Sequence, residues 1–182
     1  MTDVSEAWDF ALWLLPEGEA AMSLQGEIHR LAARFDAPRF TPHVTAYGGK
    51  AVVDEALEAV VRRLVAACVP LTLPVTGLTH GDFLFQTLFL SLGATPALAD
   101  WFTEITDALG NPKNYRLNPH LSLIYAPLTD ADKQALSFEK QGWYEAEVPA
   151  SLVFDRLALV TPGPRGWHPF DHWRQVLEVP LG

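Results

Sequence analysis

The sequence predicts an α+β fold: two antiparallel sheets, back to back or facing one another across a groove, with helices outside. Three observations carry that expectation. Apolar stripes at helical spacing alternate with short strand-like runs. Several of these runs are joined by turns too short for a crossover helix, which favours antiparallel pairing over a doubly wound sheet. One strand pattern also occurs twice, as Thr41-Pro42-His43-Val44-Thr45 and Asn118-Pro119-His120-Leu121-Ser122, with the two histidines 77 residues apart in a chain of 182.

Taken in order, Trp8 to Leu15, apolar at every position but Asp9, ends at Pro16 and reads as a buried first strand. Leu24, Ile28, Leu31 and Phe35 share one helical face, with Ser23 as the candidate cap and Asp36-Ala37-Pro38 as the stop. After the first histidine strand, Val53, Ala56, Leu57, Val60, Val61, Leu64, Val65 and Cys68 make the clearest amphipathic helix, ended by Pro70. Leu71–Val75 and Phe83–Phe85 read as strands around the turn Thr79-His80-Gly81-Asp82, and Leu88, Leu90 and Leu92 give a strand with one apolar face. Thr95-Pro96 opens a helix that Gly110 closes. The second histidine strand follows, then a short helix from Thr129 to about Phe138. The chain ends with strands at Leu152–Phe154, Leu157–Val160 and Trp173–Val179, the last preceded by a Pro/Gly-rich loop.

Residues i and i+2 of a strand share a face. His43 and Thr45 therefore point one way and His120 and Ser122 likewise, while Val44 and Leu121 point into a core. Proline at the first position of each strand costs little, because its missing N–H falls outside the ladder. Rigid strands would thus carry two imidazole–hydroxyl pairs, a donor and proton-transfer set suited to chemistry near neutral pH.

Composition narrows the function classes. Apolar content of 49% and charged content of 19% are ordinary for a globular chain, and residues 1–182 are expected to form one domain, or two small lobes sharing a core, and a monomer. A formal charge of −9 disfavours a long nucleic acid as partner but leaves room for a small phosphorylated molecule, which needs only a local donor cluster. No apolar run is long enough to span a membrane, the acidic first residues lack the basic start of a signal peptide, and the lone Cys68 suits a reducing compartment; a cytoplasmic protein is expected.

The two histidine motifs, with the aromatic Tyr125 five residues after the second histidine, resemble those of the 2H phosphoesterase superfamily, and within it the cyclic phosphodiesterases of plant and fungal type. The resemblance covers nearly the whole chain in length and order of elements. It implies a bilobal fold with both motifs facing one cleft, no metal or other cofactor, and hydrolysis of a cyclic phosphate on ribose. In that family the substrate is ADP-ribose 1″,2″-cyclic phosphate, with nucleoside 2′,3′-cyclic phosphates also accepted. Carried over residue by residue, it implies His43 and His120 as catalytic groups and Thr45, Ser122 and Tyr125 as substrate-binding ones. Strict alternation would set Tyr125 on the face opposite His120 and Ser122, so a cleft-lining Tyr125 requires the strand to twist, bulge or end by Ile124.

The remaining histidines read as structural: His29 on a solvated helix face, His80 in a turn. His168 and His172 have the four-residue spacing of a helical metal pair, but Pro169 between them opposes a helix, and no metal is expected. Trp167 and Trp173 fit either a base-stacking wall or a buried core. Lys113, Asn114 and Arg116 are the nearest candidates for positive charge beside the second motif. Two other functions fit the same motifs: an RNA 2′,3′-cyclic-end phosphodiesterase or 2′-5′ RNA ligase-like protein, against which the acidic balance counts, and a non-catalytic nucleotide-binding module, against which the intact histidines and hydroxyls count.

Overall fold

Every strand pairing in the computed structural model, which describes residues 6–168, 170 and 173–182, is antiparallel. The elements are β1 (Trp8–Pro16), α1 (Gly18–Phe35), β2 (Val44–Ala51), α2 (Glu55–Ala66), β3 (Leu71–Thr79), β4 (Leu88–Leu92), α3 (Pro96–Leu109), β5 (His120–Ile124), α4 (Asp130–Glu147), β6 (Ser151–Thr161) and β7 (Arg174–Pro180). The strands form one seven-stranded sheet in the order β1-β2-β5-β4-β3-β6-β7, and β1 also pairs with β6. The α+β class thus holds, and the two halves are hydrogen-bonded into one sheet. One half is β1, β2, β7 and the C-terminal part of β6, with α2 and α3 packed on it. The other is β3, β4, β5 and the start of β6, with α1 and α4.

The first strand shows how the sheet separates core from cleft. Leu12 and Leu14 are fully buried in the main core under the helices, while Ala11, Trp13 and Leu15 join a second, smaller cluster with Ala158 and Val160, flanked by Trp167 and Trp173. Both faces of β1 are therefore covered, which is why its sequence is apolar without a break from Phe10 to Leu15. Val44 and Leu121, between the histidine and hydroxyl of each motif, are both fully buried as alternation requires.

Local signals set the helix ends. Asp54 accepts from the N–H groups of Ala56 and Leu57 at the start of α2, Thr95 accepts from Leu98 at the start of α3, and Gly110 closes α3 at φ 71°. Asp36 takes the left-handed conformation at the end of α1. Glu27, buried in α1, holds Arg30 and, at 3.1 Å, Lys140 of α4, which ties the two helices together.

Four elements differ from the sequence reading. Helix α1 begins at Gly18, five residues before the candidate cap Ser23, because Ala20, Ala21 and Met22 extend the helix without a breaker. Phe83–Phe85 is not a strand: Leu84–Gln86 is a 3₁₀ turn, closed by Gly81 N–H donating to the Gln86 carbonyl and Gln86 N–H to that of Phe83. Helix α4 continues past Phe138 to Glu147, where Trp143 and Tyr144 pack on the main core. The strand pieces on either side of Asp155-Arg156 are one strand, β6; those two side chains pair with each other and Arg156 also with Glu178 of β7, so their charges stay at the sheet surface. Among the described residues no helix is long and apolar enough to cross a membrane.

Candidate active site

The two motifs meet at their central residues, Val44 of β2 opposite Leu121 of β5. One step either way in an antiparallel register sets His43 beside Ser122 and Thr45 beside His120. The two histidines then lie on the diagonal of a four-residue square, a relation with backbone separations of about 7–8 Å. All four residues line one cavity of about 410 Å³, together with Trp13, Phe85, Gln86, Tyr115 and Tyr125.

Each imidazole is held in the same way. His43 Nδ1 lies 2.7 Å from the Thr41 carbonyl and His120 Nδ1 lies 2.8 Å from the Asn118 carbonyl, two residues upstream in both cases. A carbonyl can only accept, so Nδ1 carries the proton and Nε2 is left for the cavity. Proline between carbonyl and histidine favours the extended backbone that makes this contact.

The surroundings differ. His43 is buried and stacked on Trp13, with ring centroids 3.6 Å apart and planes 11° from parallel. Burial lowers its pKa to about 4, against the opposing hydrogen bond to Thr41, with a smaller push from the charge of His120. His120 is more open, with the Phe89 ring edge-on at 5.4 Å, and burial lowers its pKa as well. Both imidazoles are therefore neutral in the free site at neutral pH.

The hydroxyls differ too. That of Thr45 lines the cavity without a hydrogen-bond partner among the described residues, while its carbonyl accepts from the Tyr115 hydroxyl at 2.8 Å. Ser122 donates its proton to the Phe85 carbonyl at 2.5 Å.

Tyr125 reaches the cavity because the condition set by alternation is met. Leu88 pairs with Ile124 and Phe89 with Ser122, so Leu123 is an extra, bulged residue, and β5 ends at Ile124. The extra residue restores Tyr125, three positions after Ser122, to the cavity side. There it stacks on Phe40 at 3.9 Å and lies among Phe85, Phe170 and Trp173, and burial raises its pKa well above the ordinary tyrosine value.

Of the other sequence candidates, Trp167 and Trp173 line the cavity, and Lys113 does so while paired with Asp9. Arg116 is exposed and outside the cavity lining, and Asn114 occupies a turn at φ 49°. His29 is exposed on α1, 2.9 Å from Gln25. His172 lies outside the described residues, and among those described no three His, Cys, Asp or Glu side chains are grouped to hold a metal. Sequence reasoning missed Trp13, Tyr115 and Gln86. Trp13 was indistinguishable from its apolar neighbours in a doubly buried strand, and Gln86 fell between two segments read as strands.

No protein-family model matches the chain. A curated relative, the cyclic phosphodiesterase of Arabidopsis thaliana, is 32% identical over 129 residues, which span 69% of each chain. Among solved structures, E. coli LigT in complex with ATP aligns over 97% of this chain and 99% of its own with a TM-score of 0.55 at 14% identity. A Thermus thermophilus protein aligns over 95% of this chain and 97% of its own with a TM-score of 0.56 at 15% identity. At those identities the structural likeness speaks for the fold alone.

Proposed function

The chain belongs to the cyclic phosphodiesterase family, and from that premise we propose that it hydrolyses a small cyclic phosphodiester on ribose by two-histidine acid–base chemistry, without a metal. ADP-ribose 1″,2″-cyclic phosphate and nucleoside 2′,3′-cyclic phosphates are the substrates of that class. The observation that carries the reading is the diagonal pair of imidazoles, both with Nδ1 tied to a carbonyl and both lining one cavity. A cavity of about 410 Å³ suits a nucleotide-sized ligand. LigT, the structural neighbour, has been crystallised with ATP, NADP+ and 3′-AMP, which agrees with such a ligand.

The buried His43 is the general base and the more open His120 the general acid. His43, with a pKa near 4, arrives neutral and its Nε2 takes a proton from water as the water oxygen bonds to phosphorus. The bond from phosphorus to one ribose oxygen breaks, and that oxygen receives a proton from His120 Nε2. An anionic phosphate in the cavity raises the proton affinity of the imidazole beside it, which loads His120 for this step. Thr45, with its free hydroxyl, donates to a non-bridging oxygen and stabilises charge that builds there. Ser122 and Tyr125 form the substrate-binding wall beside His120, and the aromatic rings around Trp173 and Phe85 offer faces to a base. The 182 residues act as one bilobal unit, since each half contributes one motif.

The deciding assay is turnover of a nucleoside 2′,3′-cyclic phosphate with and without EDTA. Equal, histidine-dependent rates are expected. Loss in EDTA that zinc or manganese restores overturns the metal-free mechanism. Cleavage or joining of RNA ends in preference to the mononucleotide moves the substrate to the RNA-processing class.

A further inference from the structure

The second motif presents a difficulty for the chemistry just described. A hydroxyl has one proton, and that of Ser122 is given to the Phe85 carbonyl. Ser122 can serve a phosphoryl oxygen only by giving up that carbonyl, so a second donor on this side has work to do. On the His120 side the Ser122 hydroxyl thus holds the 3₁₀ turn in place in the resting site.

The turn that Ser122 anchors carries Gln86. Its side-chain nitrogen lies 3.5 Å from His120 Nε2, in the same cavity. With Nδ1 of His120 protonated toward Asn118, Nε2 is the acceptor and the amide the donor. At 3.5 Å the contact is at the outer limit for a hydrogen bond, so the amide is readily released to a better acceptor. Its placement is built. Gly81 donates its N–H to the Gln86 carbonyl, and a Cβ on Gly81 would come within 3.3 Å of that carbonyl and 3.5 Å of the side-chain oxygen. The glycine lets the turn close with the amide over His120.

We infer that the Gln86 side-chain amide is a donor to the phosphoryl oxygens on the His120 side of the site, a counterpart to Thr45 on the His43 side. This rests on the two-histidine reading. In the resting site the amide donates weakly to the neutral imidazole. With substrate bound it turns to a non-bridging oxygen, and His120 Nε2 is free to hold the proton it delivers to the leaving group. Ser122 is then a positioning residue that fixes the turn carrying Gln86.

The test compares wild type with Gln86→Met, which keeps length and bulk but has no N–H, and with Gln86→Ala. Steady-state turnover of a nucleoside 2′,3′-cyclic phosphate should fall by about 10²-fold in kcat in both variants, the cost of losing one oxyanion donor. Binding of inorganic phosphate, followed by its effect on the His120 ring resonances, should weaken in both. A pH titration of those resonances in the free protein should show the pKa of His120 raised in Gln86→Met, because a donor to neutral Nε2 has been removed while burial is kept. A merely structural role for Gln86 would leave that titration unmoved. Unchanged phosphate affinity and an unchanged His120 titration in Gln86→Met overturn the inference, whether or not the enzyme turns over. If wild type fails to hydrolyse any cyclic phosphate while these two binding readouts respond as stated, the proposed function fails and the assignment of Gln86 as an anion donor stands.

Discussion

At the first motif the imidazole lies under an indole and the hydroxyl is free; at the second the imidazole is open and the hydroxyl is committed to backbone. The backbone is alike in both. Each ring donates to the carbonyl two residues upstream, and each hydroxyl residue is followed by a bulge, at Ala46 in β2 and Leu123 in β5. Three positions after the hydroxyl residue the chain returns to the cavity, with Gly48 in one copy and Tyr125 in the other. A Cβ on Gly48 would sit 3.3 Å from the Tyr115 ring, so the aromatic there comes from another segment. Repetition of the motif therefore supplies position, and the unlike neighbours supply unlike proton affinities. Hydrolysis needs a base that arrives empty and an acid that arrives loaded, and two identical environments would provide neither division.

The most severe way to break this comparison is to remove the rings. His43→Ala and His120→Ala should each lower kcat by about 10²–10⁴-fold, and the double variant should cost far less than the product of the two, because the pair acts as a unit. Equal, near-normal turnover in both single variants would leave the motifs as scaffold.

The hydroxyls should separate next. Thr45→Val removes a free donor and should reduce kcat by about 10²-fold with little change in thermal unfolding. Ser122→Ala leaves the Phe85 carbonyl without its donor, so it should cost about 1–3 kcal/mol of stability while changing kcat less than Thr45→Val does. A reversed ranking, with Ser122 the larger kinetic effect, would undo the contrast between the two copies.

The indole stack sharpens the comparison through pH. His43 is a working base only when neutral, and in the free enzyme that fails as pH drops through about 4. The acid limb of kcat/KM should move upward in Trp13→Ala, toward the ordinary histidine value, because the ring is then hydrated. The same shift acts on stability. With the folded pKa near 4 and the unfolded one near 6.5, the unfolded chain binds more protons between them. Stability from this group is thus fully present above 6.5 and is lost as pH falls toward 4, by on the order of 3 kcal/mol. Urea unfolding at pH 7 and pH 4 should show that loss, and His43→Gln should flatten it.

The smallest effect expected is at His29, exposed on α1 and remote from the cavity lining. His29→Ala should change stability by no more than about 0.5 kcal/mol and leave turnover unaltered.

Local rules made much of this molecule legible before any tertiary contact was known. Alternation put His43 with Thr45 and His120 with Ser122 and sent Val44 and Leu121 inward, and Thr95 and Gly110 bounded their helix as side chain and backbone require. Where local signals were ambiguous the reading slipped. Phe83–Phe85 has strand composition, but a hydrogen bond from Gly81 across to Gln86 closes it into a turn, and Asp155-Arg156 reads as a break until β7 supplies Glu178 as a partner. Only the tertiary structure decided what each imidazole meets. The meeting of Val44 with Leu121, the bulges at Ala46 and Leu123, the indole on His43 and the amide near His120 all depend on pairing between strands far apart in the chain. In such a pairing a slip of one residue exchanges the two faces of a strand. The residue types were written locally, but the face, register and neighbours that set two like motifs in unlike surroundings are fixed by long-range packing.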